Sequence, residues 1–108
     1  MILGILAALS GAIAVAAGAF GAHGASGPAV EWLKTGGQYQ LIHAVVALVA
    51  LRMEARGPAS LFVIGGAIFA VTLYLMALGA PRWLGAVTPI GGLLLIGGWL
   101  WLAWTLRG

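Results

Sequence analysis

The chain has 108 residues, 63% of them hydrophobic and only 6% charged, whereas an average soluble domain carries roughly 25% charged residues. That balance excludes an ordinary soluble domain, and the absence of cysteine excludes disulfides and thiolate metal sites. The net charge of +3 arises from five scattered basic and two acidic residues, which form no patch for nucleic acid and suit lipid headgroups.

These charges divide the sequence into uncharged stretches of 30 residues up to Val30, 17 from Thr35 to Leu51, 25 from Gly57 to Pro81 and 24 from Trp83 to Leu106. A spanning helix needs about 17 to 25 residues at 1.5 Å rise, so each stretch is long enough to cross a bilayer. The expected fold is all-α, a single integral membrane bundle of four transmembrane helices covering residues 1–108, with no room for a separate soluble domain.

The first helix is expected over 2–22. It has no Lys or Arg near its start, and its apolar run exceeds the h-region of about 7 to 15 residues in a secretory signal, so it is read as permanent. The breaker cluster Gly24-Ala25-Ser26-Gly27-Pro28 stops it and leaves His23 near a membrane surface. Within it, Gly4, Ala7, Gly11, Ala14, Gly18 and Gly21 follow steps of three and four, the spacing of a left-handed helix-pair seam. Leu6, Ile13 and Phe20 repeat on another stripe. Acyl chains are as apolar as Leu, so a bulky seam gains little in lipid, while small residues let two backbones approach.

The stretch PAVEWLK, Pro28 to Lys34, has Pro suited to a first turn, Trp32 to the headgroup zone, and Glu31 and Lys34 to water. It reads as a short interfacial helix over 28–34. Thr35 and Gln38 have capping-box spacing, which starts a second helix over 35–52; the alternative is one continuous helix from Pro28.

From Arg52, RMEARGP is a polar hairpin. Pro58 opens a third helix over 58–78, stopped by Gly79-Ala80-Pro81. Thr88 and Pro89 form an N-cap and first-turn pair for a fourth helix over 89–106. Gly65, Thr72 and Gly79 repeat by sevens in the third helix, and Gly91, Gly98 and Thr105 do so in the fourth. Trp99, Trp101 and Trp104 crowd the last turns, where indoles suit the membrane interface. With both termini on one side, Arg52, Arg56 and Arg107 face Lys34 and Arg82 across the membrane, which favours cytoplasmic termini.

Polar residues within the apolar segments are few: Ser10, Gln38, Tyr39, Gln40, His43, Thr72 and Tyr74, with His23 at an edge. Tyr39 and His43 are four apart and share a helical face, and Gln40 lies on an adjoining one. If the first two helices form a hairpin, His23 and this cluster belong to the same leaflet. The candidate ligand site is therefore His23, Gln38, Tyr39, Gln40, His43, Thr72 and Tyr74. Its functional readings are a proton relay, a metal site, a haem held by two imidazoles, or headgroup recognition. The structural reading is that His43 and Gln40 hydrogen-bond neighbouring helices and His23 caps the carbonyls ending the first.

Two histidines without nearby carboxylates or cysteines make a poor zinc set, and no metal or cofactor is expected. No nucleophile elbow, P-loop, HExxH or dinucleotide fingerprint occurs, so no enzyme is expected. Charges are absent from the spans, which argues against a pore formed by one copy. The leading reading is a noncatalytic module that associates with itself or with another membrane protein through small-residue faces: Gly4, Gly11, Gly18, Gly21, Gly65, Gly79, Gly91 and Gly98. Its surroundings are membrane lipids. The alternative is an oligomeric channel or transporter-like protein for a small solute, protons or lipid, using His23 and the Tyr39/His43 cluster.

GAFGAHG from Gly18, TGGQYQLIHA from Thr35, LYLMALG from Leu73, RWLGAVTPIGG from Arg82 and the later GGWLWL resemble, in order and spacing, the YgdD-like family. This is the domain of unknown function numbered 423, which also includes eukaryotic transmembrane protein 256. The resemblance covers nearly the whole chain and implies a four-helix integral membrane protein, of the inner membrane in bacteria, without implying a reaction. Where the family often has Ser-Gly-Ser-Leu-Tyr, this chain reads Ala70-Val71-Thr72-Leu73-Tyr74, leaving Thr72 and Tyr74 as the polar candidates there.

Overall fold

The computed structural model describes residues 1–107. Four α-helices follow one another, α1 Ile2–His23, α2 Pro28–Arg52, α3 Arg56–Ala77 and α4 Thr88–Thr105, with a 3₁₀ turn at Arg82–Ala86 before the last. There are no strands among the described residues. Each helix runs antiparallel to the next. Gly21 of α1 lies against Leu33 and Gly4 against Leu51; Gly36 of α2 lies against Tyr74; Gly98 of α4 lies against Phe62. Both termini therefore lie at the same end.

The helices α2 and α3 form the central pair. Helix α1 packs on α2 and only lightly on α3, while α4 packs on α3. Two shallow grooves result, one between α1 and α3 over α2, the other between α2 and α4 over α3.

The interior is made of small side chains and the exterior of large ones. Ala7, Ala47, Ala50, Ala59 and Ala70 are fully buried, while Leu93 and Leu100 are 68% exposed. Phe62 and Pro58 are the largest side chains fully enclosed among the described residues. A soluble protein buries its leucines because water drives them inward. In hydrocarbon that drive is absent, and dense backbone packing through small residues takes its place. Charges complete the pattern. Arg52, Glu54, Arg56 and Arg107 sit at the end with the termini, while Glu31, Lys34 and Arg82 sit at the other. There Arg82 stacks its guanidinium over Trp32 at 5.6 Å.

The helix boundaries depart from expectation in three places. No separate interfacial helix occupies 28–34, because α2 runs unbroken from Pro28 to Arg52. The Gly36-Gly37 pair that favours a restart is instead clamped inside. A Cβ on Gly36 would stand 2.7 Å from the Tyr74 ring and one on Gly37 3.1 Å from the Ala14 carbonyl oxygen, so tertiary contact holds the weak helix formers in helix. Helix α3 opens at Arg56, not Pro58, with Pro58 buried in its first turn. Thr88 is not an N-cap: it is the first residue of α4 after Val87, and its hydroxyl is engaged elsewhere.

Two interhelical turns share one design. At the end of α3, Ala80 N–H reaches Leu75 O at 2.9 Å and Gly79 N–H reaches Met76 O at 3.1 Å. This is a Schellman closure with Gly79 left-handed at φ 106. Gly79 thus ends α3 instead of packing against a neighbour; a Cβ there would meet nothing within 4 Å. At the end of α2, Ala55 N–H bonds Ala50 O at 2.8 Å and Glu54 N–H bonds Leu51 O at 3.0 Å. Here the left-handed position, φ 61, is occupied by Glu54.

Candidate polar site

Apart from Gly18, the other seam glycines face neighbouring helices. In α1, Gly4 and Gly11 are half-buried and Gly21 buried, each turned towards α2, while half-buried Gly18 touches α2 only through its backbone at Gly37 and its own Cβ direction is open; Leu6, Ile13 and Phe20 are 43%, 50% and 47% exposed. The tightest approach is in α3 and α4. A Cβ on Gly65 would stand 2.9 Å from Leu94 Cβ, one on Gly98 2.8 Å from the Phe62 ring, and one on Gly91 2.7 Å from Gly65 O. This close packing sets the depth at which polar side chains on different helices meet.

Three polar groups form between the helices. In the first, Gln40, buried to 2% exposure, bridges α1 and α3. Its Nε2 donates to Ser10 Oγ at 2.9 Å, and its Oε1 accepts the Tyr74 hydroxyl proton at 2.7 Å. In the second, His43 joins α2 to α4. Its Nδ1 lies 2.6 Å from Tyr39 O, and Trp99 Nε1 donates to its Nε2 at 3.0 Å. A carbonyl only accepts and an indole N–H only donates. These partners assign the proton to Nδ1 and leave Nε2 as the acceptor, a neutral imidazole with both nitrogens engaged. In the third, the hydroxyls of Thr72 and Thr88 lie 2.6 Å apart and share a hydrogen bond, with Ile68 O at 2.9 Å from Thr72 Oγ1 and Leu84 O at 3.4 Å from Thr88 Oγ1 as the acceptors for the remaining proton. No buried side-chain nitrogen or oxygen among the described residues lacks a partner.

The seven candidates therefore divide. Tyr39 and His43 stand together, the rings 6.2 Å apart, and Gln40 with Tyr74 forms a separate pair one turn away. Thr72 belongs to the α3–α4 contact. Gln38 is exposed and faces outward from α2. His23 is exposed at the end of α1, where it neither caps that helix nor makes a side-chain hydrogen bond among the described residues. It does not join the cluster. His43 packs at the level of Gly11, whose Cβ would lie 3.9 Å from the neighbouring Ala44, and His23 is twelve residues further along α1, roughly 18 Å.

Trp99 also departs from its expected interfacial role, since its indole N–H points inward to His43 and its ring packs on Phe62, centroids 5.2 Å apart. Trp99 and Thr88 belong to these groups although the sequence does not mark them as polar-site residues. Ser10 had a readable signal, as it lies three residues from Ala7 and four from Ala14 on the small seam of α1. Trp99 had none, standing 56 residues from His43.

The groove between α2 and α4 measures about 430 Å³ and is lined by Tyr39, His43, Phe69, Gly92, Leu95, Ile96 and Trp99. The Tyr39 ring, 45% exposed, packs on Phe69 at 4.6 Å. Its hydroxyl makes no hydrogen bond among the described residues. Among those residues, no three His, Asp or Glu side chains converge.

Inside-out packing, end-confined charge and three helices long and apolar enough to cross a membrane, Ile2–His23, Arg56–Ala77 and Arg82–Thr105, define a helical membrane-protein class. Within that class the chain belongs to the family described as protein of unknown function (DUF423), whose model matches residues 17–92. It is 43% identical over 109 residues to the UPF0382 membrane protein of Haemophilus influenzae, covering 92% of this chain and 88% of that one. It is 42% identical over 106 residues to the UPF0382 inner membrane protein YgdD of Escherichia coli K12, covering 88% and 81%. It is 38% identical over 109 residues to a UPF0382 membrane protein of Staphylococcus haemolyticus, covering 91% and 88%. No solved structure matches.

Proposed function

We propose that the protein is a noncatalytic inner-membrane module in which all four helices cross the bilayer, both termini are cytoplasmic, and the working surface is the outside of the bundle. Helix α2 joins the three more apolar helices as a span because it lies antiparallel between α1 and α3. Its 25 residues reach about 37 Å at 1.5 Å per residue, more than the roughly 30 Å hydrocarbon thickness. The termini side carries Arg52, Arg56 and Arg107 against Lys34 and Arg82, which supports the orientation.

The observation that carries the reading is the contrast between inside and outside. The buried polar side chains among the described residues all have hydrogen-bond partners on neighbouring helices or on the backbone, which supports a role in holding the helices together. Polar side chains without partners among the described residues lie instead at the surface, Gln38 on the outward side of α2 and the Tyr39 hydroxyl in the open α2–α4 groove. Such groups in hydrocarbon call for association with another molecule. The test is extraction of the native membrane patch into polymer discs, followed by native mass measurement. The expected result is two or more copies, or one copy with a second membrane protein at fixed stoichiometry. A solitary chain overturns the reading. Labelling single introduced cysteines from either side of intact cells tests the orientation.

A second reading rests on the α2–α4 groove. Its walls are aromatic and aliphatic, and it offers one free hydroxyl donor at Tyr39. That chemistry suits an apolar chain bearing a hydrogen-bond acceptor, such as a lipid ester or carbonyl. Tyr39→Phe should then lower the occupancy of co-purified lipid in the same mass measurement while leaving copy number unchanged.

A further inference from the structure

Helix α2 presents an outward stripe with a composition that no other helix shares. Gln38, Ile42, Val45 and Val49 are spaced by four, three and four, and at 100° per residue they fall within an arc of about 60°. The arc lies opposite the buried stripe of Gly36, Gln40, His43, Ala47 and Ala50. Ile42, Val45 and Val49 are 48%, 53% and 50% exposed, and Gln38 is exposed with its amide unpartnered among the described residues. The outward faces of α1, α3 and α4 differ. At mid-span they carry Leu9 and Ile13, Ile64 and Val71, or Leu93 and Ile96, which acyl chains solvate as well as any protein would.

Gln38 lies one helical turn inside Lys34, about 6 Å deeper, where an unpaired primary amide is strongly disfavoured. An amide carries both a donor and an acceptor. All copies of a chain that insert with one orientation are related by an axis along the membrane normal. In a two-fold pair about that axis, a residue close to the axis meets its own counterpart at the same depth. A charged side chain there would face its own sign, and a hydroxyl can give only one bond across the axis. A glutamine can donate to and accept from its twin. The spacing of four, three and four is that of a helix-pair seam, in which a single polar position sets register and partner number.

We propose that the protein forms a two-fold homodimer through α2, with the Gln38 amides hydrogen-bonded to each other and Ile42, Val45 and Val49 packed along the axis below them. This rests on the reading of the protein as an associating membrane module and names the partner as a second copy. At the outer end of the same face, Glu31 and Lys34, 3.8 Å apart within one chain, supply complementary charges for exchange between copies.

The cysteine-free chain permits a direct test in native membranes. Single cysteines placed as Gln38→Cys, Ile42→Cys, Val45→Cys and Val49→Cys should each give an oxidised dimer, whereas Ile13→Cys and Leu93→Cys should not. Gln38→Leu should weaken dimerisation about tenfold in a dilution series in bilayers, a change of about 1.4 kcal/mol. Gln38→Lys should abolish it. Both variants should keep the thermal stability of the monomer, since Gln38 is exposed at the rim of the α1–α2 groove and makes no side-chain hydrogen bond among the described residues. If native mass shows several copies but the α2 cysteines do not cross-link, or Gln38→Leu leaves affinity unchanged because the amide reaches headgroup water, the α2 interface is overturned while the association reading stands. If only single chains are found, both fall.

Discussion

Gly65 and Gly91 lie backbone against backbone: a Cβ added to Gly91 would stand 2.7 Å from Gly65 O, and one added to Gly65 3.0 Å from Gly91 O. Neither carbonyl can retreat, because each belongs to a helix. Gly91→Ala is expected to cost about 1–3 kcal/mol through overpacking. Gly18→Ala, where a Cβ meets nothing within 4 Å, should be neutral or stabilising by up to about 1 kcal/mol through helix propensity. Reversible unfolding in mixed micelles compares the two, and equal effects would contradict the packing account.

The indole of Trp99 satisfies an imidazole nitrogen that has no alternative donor. Trp99→Phe keeps an aromatic ring against Phe62 but leaves His43 Nε2 a buried acceptor without a proton donor, at a cost of about 1–2 kcal/mol. Nitrogen-15 spectra should show the Nδ1–H tautomer in both proteins, with the Nε2 resonance moving on substitution and Nδ1 holding its place. An Nε2–H tautomer in the parent protein would refute the assigned arrangement.

Gln40 serves Ser10 and Tyr74 together, so deletions around it should not be additive. Gln40→Leu strands two hydroxyls and should cost more than Ser10→Ala or Tyr74→Phe alone. On the Gln40→Leu background, Tyr74→Phe should have little further effect. The expected coupling is about 0.6–1.7 kcal/mol, the range found for interhelical bonds in membranes. A double-mutant cycle by unfolding measures it, and strictly additive costs would rule out the bridge.

Glu54 occupies a backbone conformation that an L side chain adopts at a cost of about 1–2 kcal/mol, whereas the equivalent turn after α3 uses Gly79. Glu54→Gly should therefore raise the unfolding temperature, offset in part by the added freedom of the unfolded chain. Gly79→Ala should lower it. Movement of both in the same direction would show that the turns are not equivalent.

Four long apolar helices and the confinement of charge to their ends were readable in the sequence, because charge spacing acts at the level of the single segment; the additional interfacial helix over 28–34 was not borne out, since α2 runs unbroken from Pro28. The seam of α1 was readable for the same reason: a period of three and four defines which stripe of a helix is small. Gly79 stops α3 as the breaker cluster implied, but its heptad spacing also suggested a packing role that it does not have, and at Thr88 a capping preference gave way to a tertiary contact. The chain needed a left-handed turn after α3, and the Thr88 hydroxyl found a stronger partner in Thr72 than in its own helix end. The break expected at Thr35 failed likewise, since Tyr74, Ala14 and Gly18 hold Gly36-Gly37 in helix.

By itself, the sequence determined that this is an all-helical chain with small faces to pack and bulky faces to shed, since both properties follow from periodicity along one helix. Only the tertiary structure decided which polar groups meet. Periodicity names a face but not the depth at which it slides past its neighbour, and that depth is set by glycine contacts such as Gly65 with Gly91. Those contacts bring Gln40 between Ser10 and Tyr74, and Trp99 onto His43 from 56 residues away, while leaving His23 alone at the surface.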